Sequence, residues 1–366
     1  MHNRLRKSYL EFAQNLRILA HSLYIEKMDN KLPTIKEIAK RLGISVSTVS
    51  RALHDHHSIG LRTKMRVRQL ASELNYEPNK TAINFKQGKT FTIGVILPNL
   101  SESFFSSAIS GIEDFANSKK YNVLLGQSHD NKEREISIVD AMKNQRVDGM
   151  LVSVSKNTIS YEHFELLKKY NIPLVFFDRV PDMANIHYVA CRLENGMLEA
   201  IEYLAKKGHK HIALINGPET LIATKERLEC YITALKKNNL KVDEKYIVST
   251  DLTAEKTHHA MKQLLLLKSR PTAIIAFNDY VALDAMQFAK KEKIKINKDI
   301  SFVSFANLPI CNYMENPPLA SVEQFPYQQG QKAAEILLQM VDNKKGEPQS
   351  EPYAMHFTID SKLETH

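Results

Sequence analysis

The chain has 366 residues, which at roughly 150 residues per domain points to two or three domains and excludes a single small binding module. Hydrophobic residues make up 43% and charged residues 25%, ordinary globular usage that excludes disordered and fibrous classes. The formal charge of +9 is uneven: residues 1–90 hold 17 Lys+Arg against 7 Asp+Glu, whereas residues 91–366 are nearly balanced at 33 against 34.

A basic block on a near-neutral body is the footprint of a nucleic-acid-binding head. A solvated lysine-rich surface gives the same count, so charge alone leaves both readings open. No apolar run reaches the roughly 18 residues of a membrane span, so no membrane partner is expected. Charges at Arg4, Arg6, Lys7, Glu11, Arg17 and Glu26 fall where a signal peptide would be apolar. The odd, widely spaced set Cys191, Cys230 and Cys311 reads neither as a disulfide framework nor as a metal site, which fits a reducing cytoplasm.

Residues 1–30 place Leu5, Tyr9, Phe12, Leu16, Leu19 and Leu23 at near-helical spacing. This extension reads either as an amphipathic helix or as a leader from an early start codon, with Met28 as the natural first residue. From Thr34 the pattern sharpens. Ile35, Ile38, Ala39 and Leu42 mark a short helix with Thr34 as N-cap and Gly43 at its end. Ser45 caps a second helix, with Val49, Ala52 and Leu53 inward and Val46, Ser47, Ser50 and Arg51 outward. Two short helices joined by a tight glycine turn form a helix-turn-helix unit. A third helix carries Val67, Leu70, Ala71 and Leu74 and stops at Asn75–Pro78. The small all-α domain spans 31–78, followed by a linker over 79–89.

Beyond residue 90, short apolar runs alternate with amphipathic segments. The runs are 91–97, 123–126, 149–154, 173–177, 211–216, 273–277 and 301–305. Helical segments lie around 104–119, 132–145, 192–207, 225–238, 253–268 and 279–292, and an apolar run after Pro318 and a helix over 327–341 return to the lobes. Strict alternation implies parallel sheets covered on both faces. About 275 residues exceed one doubly wound sheet, so 90–366 is expected to form two α/β lobes around a cleft.

The string TIKEIAKRLGISVSTVSRALHDHHSIGLRTKMRVRQLASELNYEPNKTA resembles the head of the LacI/GalR family of bacterial transcription regulators. IGVILPNL, QRVDGMLV, IPLVFFDRV, KKGHKHIALINGP, RPTAIIAFNDYVALDAM and DISFVSFAN follow at family-like intervals, extending the resemblance over 33 to about 360. It implies a periplasmic-binding-protein-like body and a homodimeric regulator, with repression the expected sense. The partners implied are a pseudo-palindromic double-stranded DNA operator and a small-molecule effector: a sugar, a sugar phosphate or a related metabolite. A two-fold dimer fits the physics, because one helix in the major groove reads too few base pairs for useful specificity.

By this resemblance Val46, Ser47 and Arg51 meet base edges, Arg51 offering two donors to guanine O6 and N7 and Val46 an apolar contact. A surface salt bridge is the alternative for Arg51. Thr34, Lys36, Ser45, Thr48 and Ser50, with Lys64, position the phosphates. Residues 79–88 resemble the family's hinge helix, which forms on DNA and enters the minor groove; Asn79, Ala82 and Phe85 are its contacts. Ten residues are too few for a stable isolated helix, so folding is coupled to binding. Phe85 stands where leucine is usual and serves as a wedge between base steps, or alternatively as core of the first lobe.

For the effector, Phe104, Asp178, Arg227, Asn278 and Asp279 match family positions that hold the ligand. Arg227 suits a carboxylate, a phosphate or paired hydroxyls; Asp178 and Asn278 could equally be helix caps. Ala306 and Asn307 replace a usual aspartate, Leu252 a usual aromatic and Cys230 a usual glycine, which weakens a neutral-sugar reading. His54, His56 and His57 form a polar loop after the second helix that lacks a further ligand group, so no metal is expected, and His258 and His259 read as helix surface. A free small-molecule sensor is the alternative function, but it leaves the basic head unexplained. An enzyme lacks its motifs: no GxGxxG follows the first strand, and neither GxxxxGK[ST] nor GxSxG occurs, so no cofactor is expected.

Overall fold

The computed structural model describes residues 33–78, 88–343 and 354–366. The chain divides between Gly88 and Lys89 into two compact units.

The first unit holds α1 (Ile35–Leu42), α2 (Val46–Leu53) and α3 (Leu61–Glu73). The Thr34 hydroxyl accepts from the Glu37 amide at 3.3 Å and starts α1. Gly43, at φ +64, lets its own amide close on the last carbonyls of the helix, a backbone conformation that costs a side-chain-bearing residue more. The Ser45 hydroxyl then accepts from the Thr48 amide at 3.1 Å and starts α2. Ile38, Val49, Ala52 and Val67 are fully buried and meet Ala39 and Ala71 in one core. Each large aliphatic there contributes about 1.5–3 kcal/mol of transfer free energy.

The second unit alternates strand and helix. Its first sheet gathers β1 (Thr92–Leu97), β2 (Asn122–Gln127), β3 (Gly149–Val152), β4 (Leu174–Phe177), β5 (His187–Arg192) and β11 (His356–Asp360) in the order β11-β5-β4-β3-β1-β2, all parallel. The second gathers β6 (Ile212–Asn216), β7 (Ile247–Ser249), β8 (Ala273–Ala276), β9 (Ser301–Phe305), β10 (Ala320–Glu323) and β12 (Lys362–Thr365) in the order β12-β10-β9-β8-β6-β7. Only the β10–β12 pair is antiparallel. The helices are α4 (Ser103–Ser118), α5 (Lys132–Asn144), α6 (Glu162–Lys169), α7 (Glu194–Lys206), α8 (Ile222–Lys237), α9 (Ala254–Leu265), α10 (Asp279–Lys291) and α11 (Pro326–Asn343).

The central strands read as near-continuous apolar runs because helices cover both faces, the pattern of buried parallel sheets. The strands β5, β7, β11 and β12 and the helix α6 have no counterpart among the sequence-read segments. In β5, HYVACR is mixed and mostly half-buried; β7 has three residues; β11 and β12 are largely exposed edge strands. None carries an apolar run for periodicity to find.

Three crossings connect the lobes, after β5, after β10 and between β11 and β12. Ser361 ties two together: its hydroxyl donates to the Arg192 carbonyl at 2.7 Å and accepts from the Gly196 amide at 3.1 Å. Helix α11 lies on α4 with backbone touching backbone, since a Cβ added at Gly330 would overlap the Ala108 carbonyl oxygen and one at Gly111 that of Tyr327. At the start of this unit the Asp148 carboxylate accepts both the Thr90 and Phe91 amides at 2.8 Å. Lys89 pairs with Asp342 at the end of α11 at 2.7 Å.

Candidate nucleic-acid interface and effector cleft

Helix α2 is amphipathic over only eight residues, so its polar face is set by what its core face excludes. Val49 and Ala52 go inward, leaving Val46, Ser47 and Arg51 exposed on the other side. Val46 keeps 42% of its surface in solvent, and the Arg51 guanidinium makes no ion pair among the described residues. That is the disposition a groove-reading face requires: an apolar contact and a guanidinium with no internal ion pair among the described residues.

The phosphate-positioning candidates divide differently. Lys36 is exposed. Thr34 and Ser45 act as N-caps. The Ser45 hydroxyl also lies 2.7 Å from that of Ser47 and 2.8 Å from that of Thr48, so these groups meet at the amino end of α2, where backbone N–H groups and the helix dipole favour an anion. The Ser50 carbonyl accepts the His54 amide and is 2.8 Å from His54 Nδ1. Lys64 is spent internally, 2.9 Å from the Asp55 carboxylate and 3.0 Å from its carbonyl. Its ammonium buttresses the loop after α2, so a free phosphate-seeking role does not hold in this structure. His56 and His57 stack at 4.3 Å in that same loop. The hinge candidates Asn79, Ala82 and Phe85 lie outside the described residues.

Within the second unit, the carboxyl ends of both sheets face a cavity of about 410 Å³. Phe104, Asp178, Arg227 and Asn278 all line it. The sequence spreads them over 175 positions, and they converge because each sits at a strand end or in the first turns of a helix at this crevice. Phe104 packs edge-on against Phe105 at 5.4 Å. Asn278 uses Oδ1 to cap α10 through the Val281 amide at 2.9 Å, yet it still lines the cavity. Capping and cavity lining thus coexist in one residue.

Arg227 is the unusual member. It retains 4% of its surface and makes no ion pair among the described residues, and its Nε has no hydrogen-bond partner. Its guanidinium lies 3.9 Å from the Phe277 ring centre and 4.8 Å from that of Phe305. Burial brings its pKa down to about 10, against the pull of Asp178 and Glu226. Burial likewise raises Asp178, whose φ is +58, opposed by Arg179, Arg227 and the Ser153 hydroxyl at 3.3 Å. A buried cation with idle donors and a carboxylate that resists ionisation form an electrostatic gap suited to a polar group.

Asp279 is placed differently from the other effector candidates. It is fully buried beneath the cavity rather than lining it. Its carboxylate accepts from the Ser304 hydroxyl, the Ser321 hydroxyl at 2.8 Å and the Leu308 amide at 2.6 Å. It fixes the turn through Ala306 and Asn307, where Ala306 sits at φ +96 and borders the cavity. Leu252 and Cys230 are not lining residues; they pack into the cores of the second lobe.

The lining residues that sequence reasoning missed include Glu102, Phe105, Arg179, Tyr188, Glu226 and His356. Arg179 follows Asp178 directly, so its signal was present at the end of the FFDR run. Tyr188 and His356 come from strands without an apolar pattern and stack at 4.3 Å.

A helix-turn-helix head joined to a two-lobed α/β domain with a polar-lined cleft defines a ligand-binding transcription regulator. Residues 34–79 match the model of bacterial regulatory proteins of the lacI family. Residues 90–359 match that of periplasmic binding proteins and the sugar-binding domain of the LacI family. The chain belongs to the LacI family.

It is 31% identical over 319 residues to the HTH-type transcriptional repressor CytR of Escherichia coli (strain K12), covering 87% of this chain and 92% of that protein. It is 31% identical over 312 residues to catabolite control protein A of Priestia megaterium, covering 85% and 93%. The fold superposes on a Lac repressor dimer bound to operator and the anti-inducer ONPF with a TM-score of 0.76, at 24% identity, covering 91% of this chain and 98% of that one. Relatives of this kind are regulators and repressors of transcription rather than enzymes. Among the described residues no helix is long and apolar enough to cross a membrane.

Proposed function

We propose that this protein represses transcription by holding a pseudo-palindromic duplex operator as a homodimer, and that a metabolite in the cleft changes its grip on DNA. The functional division is a head over 31–78, a hinge over 79–89 and an effector-binding and dimerising body over 90–366, acting in the bacterial cytoplasm. Val46, Ser47 and Arg51 read base edges. Thr34, Lys36, Ser45, Thr48 and Ser50 set the register on the phosphates, and Asn79, Ala82 and Phe85 enter the minor groove. Phe104, Asp178, Arg227 and Asn278 hold the effector, with Asp279 as their support. The effector is bound and released unchanged, so no turnover is expected.

The observation that carries this reading is the outward face of α2, where Val46 and Arg51 are exposed and Arg51 has no ion pair among the described residues. The cleft adds the response. A ligand completing the Arg227 and Asp178 shells favours one arrangement of the lobes, and DNA affinity changes by its differential affinity for the two states.

The test is selection of bound duplexes from a random DNA pool by the full-length protein at about 0.15 M salt. An enriched pseudo-palindrome is the expected result, and it supplies the probe for finding sugars, sugar phosphates or related metabolites that alter binding. Absence of any enriched site, with or without such metabolites, overturns the regulator reading in favour of a sensor with no DNA-specific role.

A further inference from the structure

The cleft has two sides, and away from the three crossings a single side-chain hydrogen bond joins them among the described residues. The ammonium of Lys156, in the loop after β3 of the first lobe, donates to the backbone carbonyl of Asp251, after β7 of the second, at 2.8 Å. Neither residue lines the cavity.

Both ends of this contact run back to cavity arginines. On the first lobe, the Lys156 amide donates to Asp130 Oδ1 at 2.9 Å, and the same oxygen lies 2.6 Å from Arg179 Nη1, a lining residue. The loop itself is held from below by the fully buried Glu135, which accepts the Ser155 amide at 2.7 Å and the Thr158 hydroxyl at 2.8 Å and meets His163 Nε2 at 3.1 Å. On the second lobe, Thr250 donates its amide to the Asn216 carbonyl at 2.9 Å. The Asn216 amide group in turn donates to the Thr224 carbonyl at 2.9 Å, at the start of the helix that carries Arg227.

The backbone has positive φ at His129 and Asp130 on the first lobe and at Leu252 on the second. A lysine on a solvated surface gives no reason for anchors on both sides.

We propose that Lys156 is a latch across the mouth of the effector cleft, a positioning residue that sets how far the lobes open and ties that opening to Arg179 and Arg227. This rests on the reading of the cleft as the effector site. A ligand that draws on Arg179 competes with Asp130 for its guanidinium, and Asp130 holds the latch backbone, so occupancy and closure are linked through one carboxylate.

Amide hydrogen exchange on the full-length protein, without ligand or DNA, tests it. In Lys156→Met, exchange in the 250–253 segment is expected to rise roughly 2- to 5-fold, the range for losing one partly exposed charged contact, with the thermal midpoint unchanged. Lys156→Arg restores the wild-type rate, and Asp130→Ala raises exchange in the same segment from the opposite lobe. Unchanged exchange at 250–253 in Lys156→Met overturns the latch, as does a rise that Lys156→Arg fails to reverse. Since neither ligand nor DNA enters the measurement, a failed operator selection would remove the regulator reading and leave this result standing.

Discussion

Arg51 in the head and Arg227 in the cleft each lack an ion pair among the described residues, in opposite environments. Arg51 is exposed on an eight-residue helix whose core faces away from it. Arg227 is buried between Phe277 and Phe305 at the meeting of two lobes. An exposed cation costs nothing to keep idle, so the head is ready for DNA without loss of stability. A buried idle cation destabilises the fold until a ligand arrives, so the cleft carries its function as strain. On the proposed roles of Arg51 and Arg227, recognition of a polyanion and of a small molecule use the same side chain with opposite consequences for folding.

Five substitutions sharpen or break that contrast. The largest effect is expected where the body depends on close approach and the head does not. Gly330→Ala drives a methyl into the Ala108 carbonyl of α4 and should cost the second unit about 3 kcal/mol or more, because backbone cannot retreat as a side-chain tip can. Gly43→Ala, with open space around it, should cost about 1 kcal/mol from its positive φ alone. Denaturant unfolding compares the two, and equal losses would show that the body is not the more tightly constrained region.

Next in size, Arg51→Ala should weaken operator binding by about 1–3 kcal/mol per head, leave binding to random duplex almost unchanged, and shift stability by less than about 0.5 kcal/mol. An equal loss on both DNAs would make Arg51 a phosphate contact.

Arg227→Met should do the reverse. Burial lowers the Arg227 pKa from 12.5 to about 10, which disfavours the charged form in the fold, and the two aromatic contacts offset part of that cost. A net gain in stability of about 1 kcal/mol, with loss of the effector response, is expected in thermal and ligand titrations. A large destabilisation would mean that the cation is structural.

The smallest effect belongs to Asp178→Asn. Burial raises the Asp178 pKa in the folded state, so its carboxylate opposes folding above the ordinary value of 3.8. The asparagine variant should therefore be the more stable at pH 7, with the gain fading as pH falls to 4 and below. Urea midpoints at the two pH values check the sign.

The same contrast explains what the sequence made legible. In the head, the N-caps Thr34 and Ser45, the Gly43 turn and the inward faces of three helices are all local signals, and they match the structure residue by residue. The buried strands of the body were legible for a similar reason, since a parallel strand covered on both faces is a run of apolar residues. The cleft needed partners from distant segments. Phe104, Asp178, Arg227 and Asn278 came from resemblance, while Tyr188 and His356 lie on strands with no apolar period and only the fold brings them together. Asp279 shows the limit of adjacency: it follows Asn278 in the chain, but the turn of α10 sends its carboxylate down to Ser304 and Ser321 rather than into the cavity.

The proposed function places DNA reading and effector sensing in separate arginines of one chain. A titration of the selected operator by fluorescence anisotropy, with wild type, Arg51→Ala and Arg227→Met, each with and without the metabolite that alters wild-type binding, tests it most directly. The prediction is that Arg51→Ala loses operator affinity while Arg227→Met keeps it and loses only the response. An Arg227→Met protein that still responds to the metabolite would contradict the account.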